Sequence, residues 1–244
     1  HSPVEDATVA EAFAEARNVI VAAVTRAKPG AVGLEPPVRP LDKAAWAVGS
    51  PAAYQPNETI RSIPLVVRDH ETGRPFLSLT LLALQRFHGA SADSIELIDG
   101  SRLSAAEREI PLLSGERISL FPSRRQAGVA QDTTSAAGVE VVGSDSAVRV
   151  PDLQSWNTML INWLGPAGTV KPHLLSDVLS MSDQQGRKAF SGKAVIVGKM
   201  AWDEHWTAVG AMSGPEIQAN ALHTLLSREY IRPMGGWTFL GVVA

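Results

Sequence analysis

Two rhythms of apolar positions alternate along this chain: short continuous runs, and residues recurring at helical spacing. The clearest pairing lies near the carboxyl end. After Lys193, the residues Ala194, Val195, Ile196 and Val197 form an unbroken apolar run that Gly198 closes, which predicts a central strand covered on both faces. A polar loop from Lys199 to Ser213 follows. A helix is then expected, with Ile217, Ala221, Leu222, Leu225 and Leu226 on one side and Gln218 and His223 on the other. Ser213, Pro215 and Glu216 have the order of a capping box, Ser213 accepting from the Glu216 N–H and the Glu216 carboxylate reaching back.

Upstream, Val4 to Arg17 predicts a helix with Val9, Phe13 and Ala16 on one side, ended by Asn18 and followed by a buried strand from Val19 to Val24. Six prolines between Thr25 and Thr59 predict loops there, with a short helical piece near Leu41 to Val48. Ile60 to Arg68 predicts a strand with Ile63, Leu65 and Val67 on one side and Pro64 marking an edge or an irregularity. A turn over Asp69 to Gly73 leads to a helix opened by Arg74 and Pro75 and buried through Phe76 to Leu84. The pair Asp99-Gly100 sits between two apolar runs as a hairpin turn. GERISLFPS, from Gly115, predicts another strand, and Ser123 to Ser146 a surface loop. Met159 to Trp163 predicts a strand, Thr169 to Met181 a strand remnant and a short helix capped by Ser176, and Asp183 to Lys188 a polar connection. These elements predict an α/β fold: a layered sandwich around a mixed, mostly parallel sheet, with residues 88–155 as an inserted β-rich and loop segment.

Composition narrows the function classes. With 45% hydrophobic and 19% charged residues the chain is globular rather than disordered. A net charge of -3 supplies no basic surface for nucleic acid. The absence of cysteine removes disulfides, thiolate metal sites and cysteine nucleophiles together. Nothing in the order of residues matches a nucleophile elbow, a phosphate-binding glycine loop or an HExxH helix. Residues 235–244 read equally well as the start of a transmembrane helix or as a last edge strand.

In an open α/β sheet, ligands are met at the loops that leave the carboxyl ends of strands. The loop after Val197 carries Trp202, Asp203, Glu204, His205 and Trp206. Asn220 and His223 lie on the following helix, in line with Glu216 at spacings of four and three. These residues are the candidate ligand-binding set. Asp203, His205 and His223 could alternatively hold a metal or act as base in a hydrolase-like enzyme. The opposing expectation is that Glu216 is spent in the cap, Asn220 bonds a loop backbone, and both histidines are solvated. No catalytic residue, metal ligand or cofactor is assigned.

FSGKAVIVG, the acidic loop after it, and GPEIQANALHTLLSREYIR resemble the carboxyl-terminal part of a CHASE domain of type 2. The resemblance extends to IRSIPLVVRDHETGRPFLSLTLLAL and MLINWLGPAGTVKPHLLSDVL, four blocks in family order between Ile60 and Arg232, and implies such a domain over residues 1–234. It implies an extracytoplasmic sensory domain of a membrane-bound adenylate cyclase, serine/threonine kinase or histidine kinase. Such a domain would bind a small-molecule ligand and be held in the membrane by flanking helices, at the periplasmic or cell-surface face. A homodimer is a reasonable expectation for such an input domain, and a structural dimerisation spacer is a further alternative. Domains of this type begin with a membrane anchor, a strand ending in an acidic residue, and a second strand and helix. None of these precedes Glu5 here, so the chain looks like part of a longer protein.

Overall fold

The computed structural model describes residues 3–28, 31–53, 59–68, 75–99, 101–113, 157–201 and 203–232. Helix α1 (Pro3–Ala16) leads into β1 (Ile20–Ala22), β2 (Val24–Lys28), β3 (Ala31–Glu35), the single-turn α2 (Leu41–Ala44) and β4 (Ala47–Gly49). Next come β5 (Ser62–Arg68), β6 (Pro75–Leu77), α3 (Leu79–Phe87) and the meander β7 (Ile95–Asp99), β8 (Arg102–Ala105), β9 (Arg108–Pro111). The last third holds β10 (Asn157–Leu160), α4 (Leu175–Ser180), α5 (Asp183–Phe190), β11 (Glu204–Thr207), β12 (Gly210–Ser213) and α6 (Gly214–Ser227).

The class is mixed α/β, but the described strands form several small sheets rather than one. β1 and β4 are parallel, whereas β2–β3, β10–β5–β6, β7–β8–β9 and β11–β12 are antiparallel. A layered sandwich around a mostly parallel sheet is therefore not confirmed. Two parallel bridges connect the small sheets. Ser50 pairs Ser78, through Ser50 N–H to Leu77 O (2.8 Å) and Leu79 N–H to Ser50 O (3.0 Å), and Ile60 pairs Thr207.

β5 is the centre of this arrangement, with β10 on one edge and β6 on the other. Ile63, Leu65, Val66 and Val67 are all buried, so both faces of the strand are covered rather than one. Pro64 stands opposite Thr158, beside the register shift at Asn157/Thr158. The irregularity expected of a strand proline is present, but the strand is central and not an edge.

α3 and α6 pack on this sheet. Leu81, Leu84, Ile217, Ala221 and Leu225 share one buried cluster with Ile63, Leu65 and Met159, and with Leu103 and Ile110 of the meander. α3 begins at Leu79, later than the start at Arg74 and Pro75 that the sequence pattern predicts. Phe76 and Leu77 pair with Val67 and Val66 as strand, and Ser78 then caps the helix by accepting from Leu81 N–H at 3.1 Å. A cap of this kind is worth about 1 kcal/mol. The α6 C-terminus is closed by Arg228 in the left-handed conformation (φ 63) and by Arg108, whose Nη1 donates to the Leu225 and Leu226 carbonyls at 2.6 and 3.0 Å. A cation at the negative end of a helix satisfies two otherwise unpaired acceptors.

Several expectations are corrected. The region rich in proline forms the hairpin β2–β3 and strand β4, with prolines 36, 37, 40 and 51 flanking the strands rather than interrupting them. The α1 face through Val9 and Ala16 is exposed, and Ala10 is the buried contact. Asp183 to Lys188 is helix, not connection, because Ser182 and Gln185 make the reciprocal capping box that the sequence pattern assigns to Ser213 and Glu216. α4 starts at Leu175 after Leu174, with no side-chain cap from Ser176. Asp69 to Gly73, GERISLFPS, Ser123 to Ser146 and residues 235–244 lie outside the described residues. Among the described residues no helix is long and apolar enough to cross a membrane.

The largest correction concerns Ala194 to Val197. This run is not a strand and is not buried: Val195 is 54% and Val197 85% exposed. It passes along the surface beside the α6 N-terminus, without turn or bend from Ala194 to Met200.

A groove at the start of the last helix

The groove opens where that surface run, the β11–β12 hairpin and the first turn of α6 meet. Its volume is about 440 Å³. Ala22, Ala52, Ile60 and Ile217 make aliphatic walls, Ile196 to Lys199 forms the rim, and Asp203, His205 and Gln218 supply side-chain polarity. Two glycines permit the close approach that shapes it. A Cβ at Gly198 would strike the Pro215 ring, and one at Gly214 would overlap the Asp203 carboxylate.

The hairpin sorts the acidic loop by period two. Opposite residues on paired strands share a face, and neighbours along one strand alternate. Asp203 and His205 point to the groove, while Glu204 and Trp206 fall on the other face, where Trp206 is 64% exposed. Asp203 is held twice. Its backbone carbonyl accepts from Gly214 N–H at 2.9 Å, and its Oδ1 lies 2.9 Å from His205 Nε2. A carboxylate at this place is favoured by the positive end of α6.

The helix residues do different work. Asn220 is fully buried: its Oδ1 accepts from Leu164 N–H at 2.9 Å, and its Nδ2 donates to Glu216 O. It therefore braces the loop after β10 and does not face the groove. Glu216 is buried too, but it does not close a capping box. Its Oε1 accepts from Gly168 N–H at 2.8 Å and Val170 N–H at 3.3 Å, while Ser213 Oγ donates to Met200 Sδ. His223, five residues beyond Gln218 on α6, is not among the groove residues. Trp202 lies outside the described residues.

Of the residues expected from sequence to bind ligand, the structure thus brings Asp203 and His205 together and separates Glu204, Trp206, Asn220 and His223 from them. The hydrolase-like arrangement needs His223 beside Asp203 and His205, and that convergence is not made. Among the described residues, no group of three His, Asp or Glu side chains could hold a metal ion.

Gln218 is the groove residue that sequence patterning misses. Its Nε2 donates to Pro51 O at 2.9 Å, its Oε1 has no partner, and the residue is 7% exposed. A buried acceptor left unpaired costs about 1–3 kcal/mol, and this oxygen is shut off from solvent behind the groove wall. A glutamine on the side of α6 away from the aliphatic stripe reads as a solvated residue, and nothing in the sequence distinguishes it.

At the other end of α6, the Arg108 guanidinium also meets His88, with Nη2 2.7 Å from Nε2. Desolvation, then the charges of Arg108 and Arg228, lower the His88 pKa below its ordinary value, partly offset by Glu107. Burial raises that of Tyr230, just beyond the helix.

Comparison with known proteins places these features in a family. The model of the CHASE2 domain matches residues 1–244, the whole chain. Neither a curated protein nor a solved structure matches it.

Proposed function

Since the chain belongs to the CHASE2 family of extracellular sensory domains, we propose that it is the input domain of a membrane receptor, holding its ligand in the groove at the start of α6. The observation that carries the site is the Asp203–His205 pair set beside aliphatic walls in one concavity. A preformed apolar concavity with a few polar groups is the usual form of a binding site.

In this reading the domain stands at the periplasmic or cell-surface face and is joined by membrane helices to a cytoplasmic adenylate or guanylate cyclase or a protein kinase module. A ligand alters output only through unequal affinity for two arrangements of the domain. α6 is the element suited to report it. Its first turn lines the groove, and fourteen residues later it ends at the Arg108 clamp, a span of about 21 Å at 1.5 Å per residue. The gene tests this directly. A membrane span and a cyclase or kinase module encoded in the same polypeptide are expected, and a free-standing chain without either would overturn the receptor.

A second reading is favoured by Leu174, Leu175 and Leu179, which are 66%, 66% and 78% exposed on and just before α4. This apolar surface suits a second copy of the chain, as in a dimeric input domain or a dimerisation spacer. Sedimentation over rising concentration, with Leu175→Glu as the control, distinguishes a dimer from a monomer.

A further inference from the structure

We infer that the ligand of this groove is an extended, uncharged peptide segment, added as a strand along Ala194–Met200. The inference rests on the sensory reading of the groove and names its ligand class. Among the described residues, no main-chain N–H or C=O from Ala194 to Met200 makes a main-chain hydrogen bond. The run has no turn or bend, and its valines stand in solvent. A row of unpaired main-chain groups on an apolar stretch is the template for strand addition.

Across the groove lies the end of β1, which pairs with β4 alone among the described strands and leaves its other edge open at the exposed Ala22. The space between the two edges is walled by aliphatic side chains. An extended peptide supplies what both sides lack: N–H and C=O groups repeating every ~3.3 Å, and side chains alternating between faces. Charge complementarity favours an uncharged occupant, because Lys199 and Asp203 line the groove with opposite signs and His205 already engages the carboxylate. Main-chain pairing and aliphatic burial then supply the affinity, and added salt changes it little.

The probe is a synthetic hexapeptide, acetyl-Ala-Val-Thr-Val-Thr-Ala-amide, with a copy N-methylated at alternate residues as the control. Hydrogen exchange of the whole chain is read with and without peptide. The expected result is exchange across 194–200 slowed about tenfold or more by the hexapeptide and unchanged by the methylated copy. Val197→Pro removes one N–H from the exposed edge without breaking any described main-chain bond, so it should fold normally and lose the protection. No protection by the peptide would overturn the inference, as would a dimer whose 194–200 amides are already protected, since a second copy would then be the occupant. In the full-length receptor the two readings separate. Protection without any change in output refutes the sensory role and leaves the strand site standing. Output that answers to other ligands while the peptide gives no protection refutes the peptide alone.

Discussion

Ile63 to Val67 and Ala194 to Val197 are short runs of almost the same chemistry, and they finish in opposite environments. The first lies in β5 with Ile63, Leu65, Val66 and Val67 at 0–1% exposure. The second holds Val197 at 85%. Propensity does not separate them, since each is rich in β-branched residues. What separates them is the supply of partners: β10 and β6 take both edges of β5, and α3 and α6 contribute to the cluster around it, whereas Ala194 to Met200 has no main-chain partner among the described residues. An apolar run states a demand for burial. Only neighbours can meet it.

The largest test of that contrast is a pair of truncations. Leu65→Ala should cost about 2–5 kcal/mol, because it removes buried methyl groups and leaves a cavity. Val197→Ala should stay within about 0.5 kcal/mol, as an exposed substitution does. Urea melts of the two variants decide it, and equal losses would mean that the 194–197 run is buried in solution.

Polar anchoring gives the next effect. Glu216→Ala leaves Gly168 N–H and Val170 N–H without their acceptor and should cost about 1–3 kcal/mol. The faster amide exchange should be confined to 165–170. Exchange rising across α6 instead would show that Glu216 serves its own helix.

The two serines before α5 and α6 sharpen the comparison further. Ser182→Ala should lower the local stability of α5 by about 1 kcal/mol, because its capping box is made. Ser213→Ala should change α6 by no more than a few tenths, because no side-chain cap is made there. Amide exchange in the first turn of each helix separates the outcomes.

The smallest effect is on pH. His88 has a folded pKa below its ordinary 6.5, so the folded chain binds fewer protons than the unfolded one as pH falls through that region. The associated stability is present above pH 6.5 and is lost as pH drops through the lowered value. His88→Asn should flatten this part of the stability profile, and an unchanged profile would remove His88 as its source.

Much of the fold was readable because the signals were local. The helix over Val4 to Arg17, the β5 run, the hairpin around Asp99-Gly100 and the aliphatic stripe of α6 each depend on periodicity or turn chemistry within a few residues. The α5 capping box was equally local, and Ser182 and Gln185 carried it in plain order behind a polar composition that suggested a connection. In the site, Asp203 and His205 were legible as polar candidates of the acidic stretch, but their pairing was not. That stretch reads as a loop, and only the β11–β12 hairpin gives alternate residues a common face. Gln218 was not legible, because its role depends on Pro51, which folding brings to it from 167 positions away.

The sequence by itself determined the α/β class, the CHASE2 family and the apolar content of each run, since these depend on residue identity and on spacing along the chain. Tertiary structure alone decided which apolar run is buried, whether Glu216 serves its helix or a distant loop, and which polar side chains meet in the groove. Those outcomes turn on which main-chain edges and buried acceptors find partners. Partners are allotted by contacts between segments far apart in sequence, so no local pattern records them.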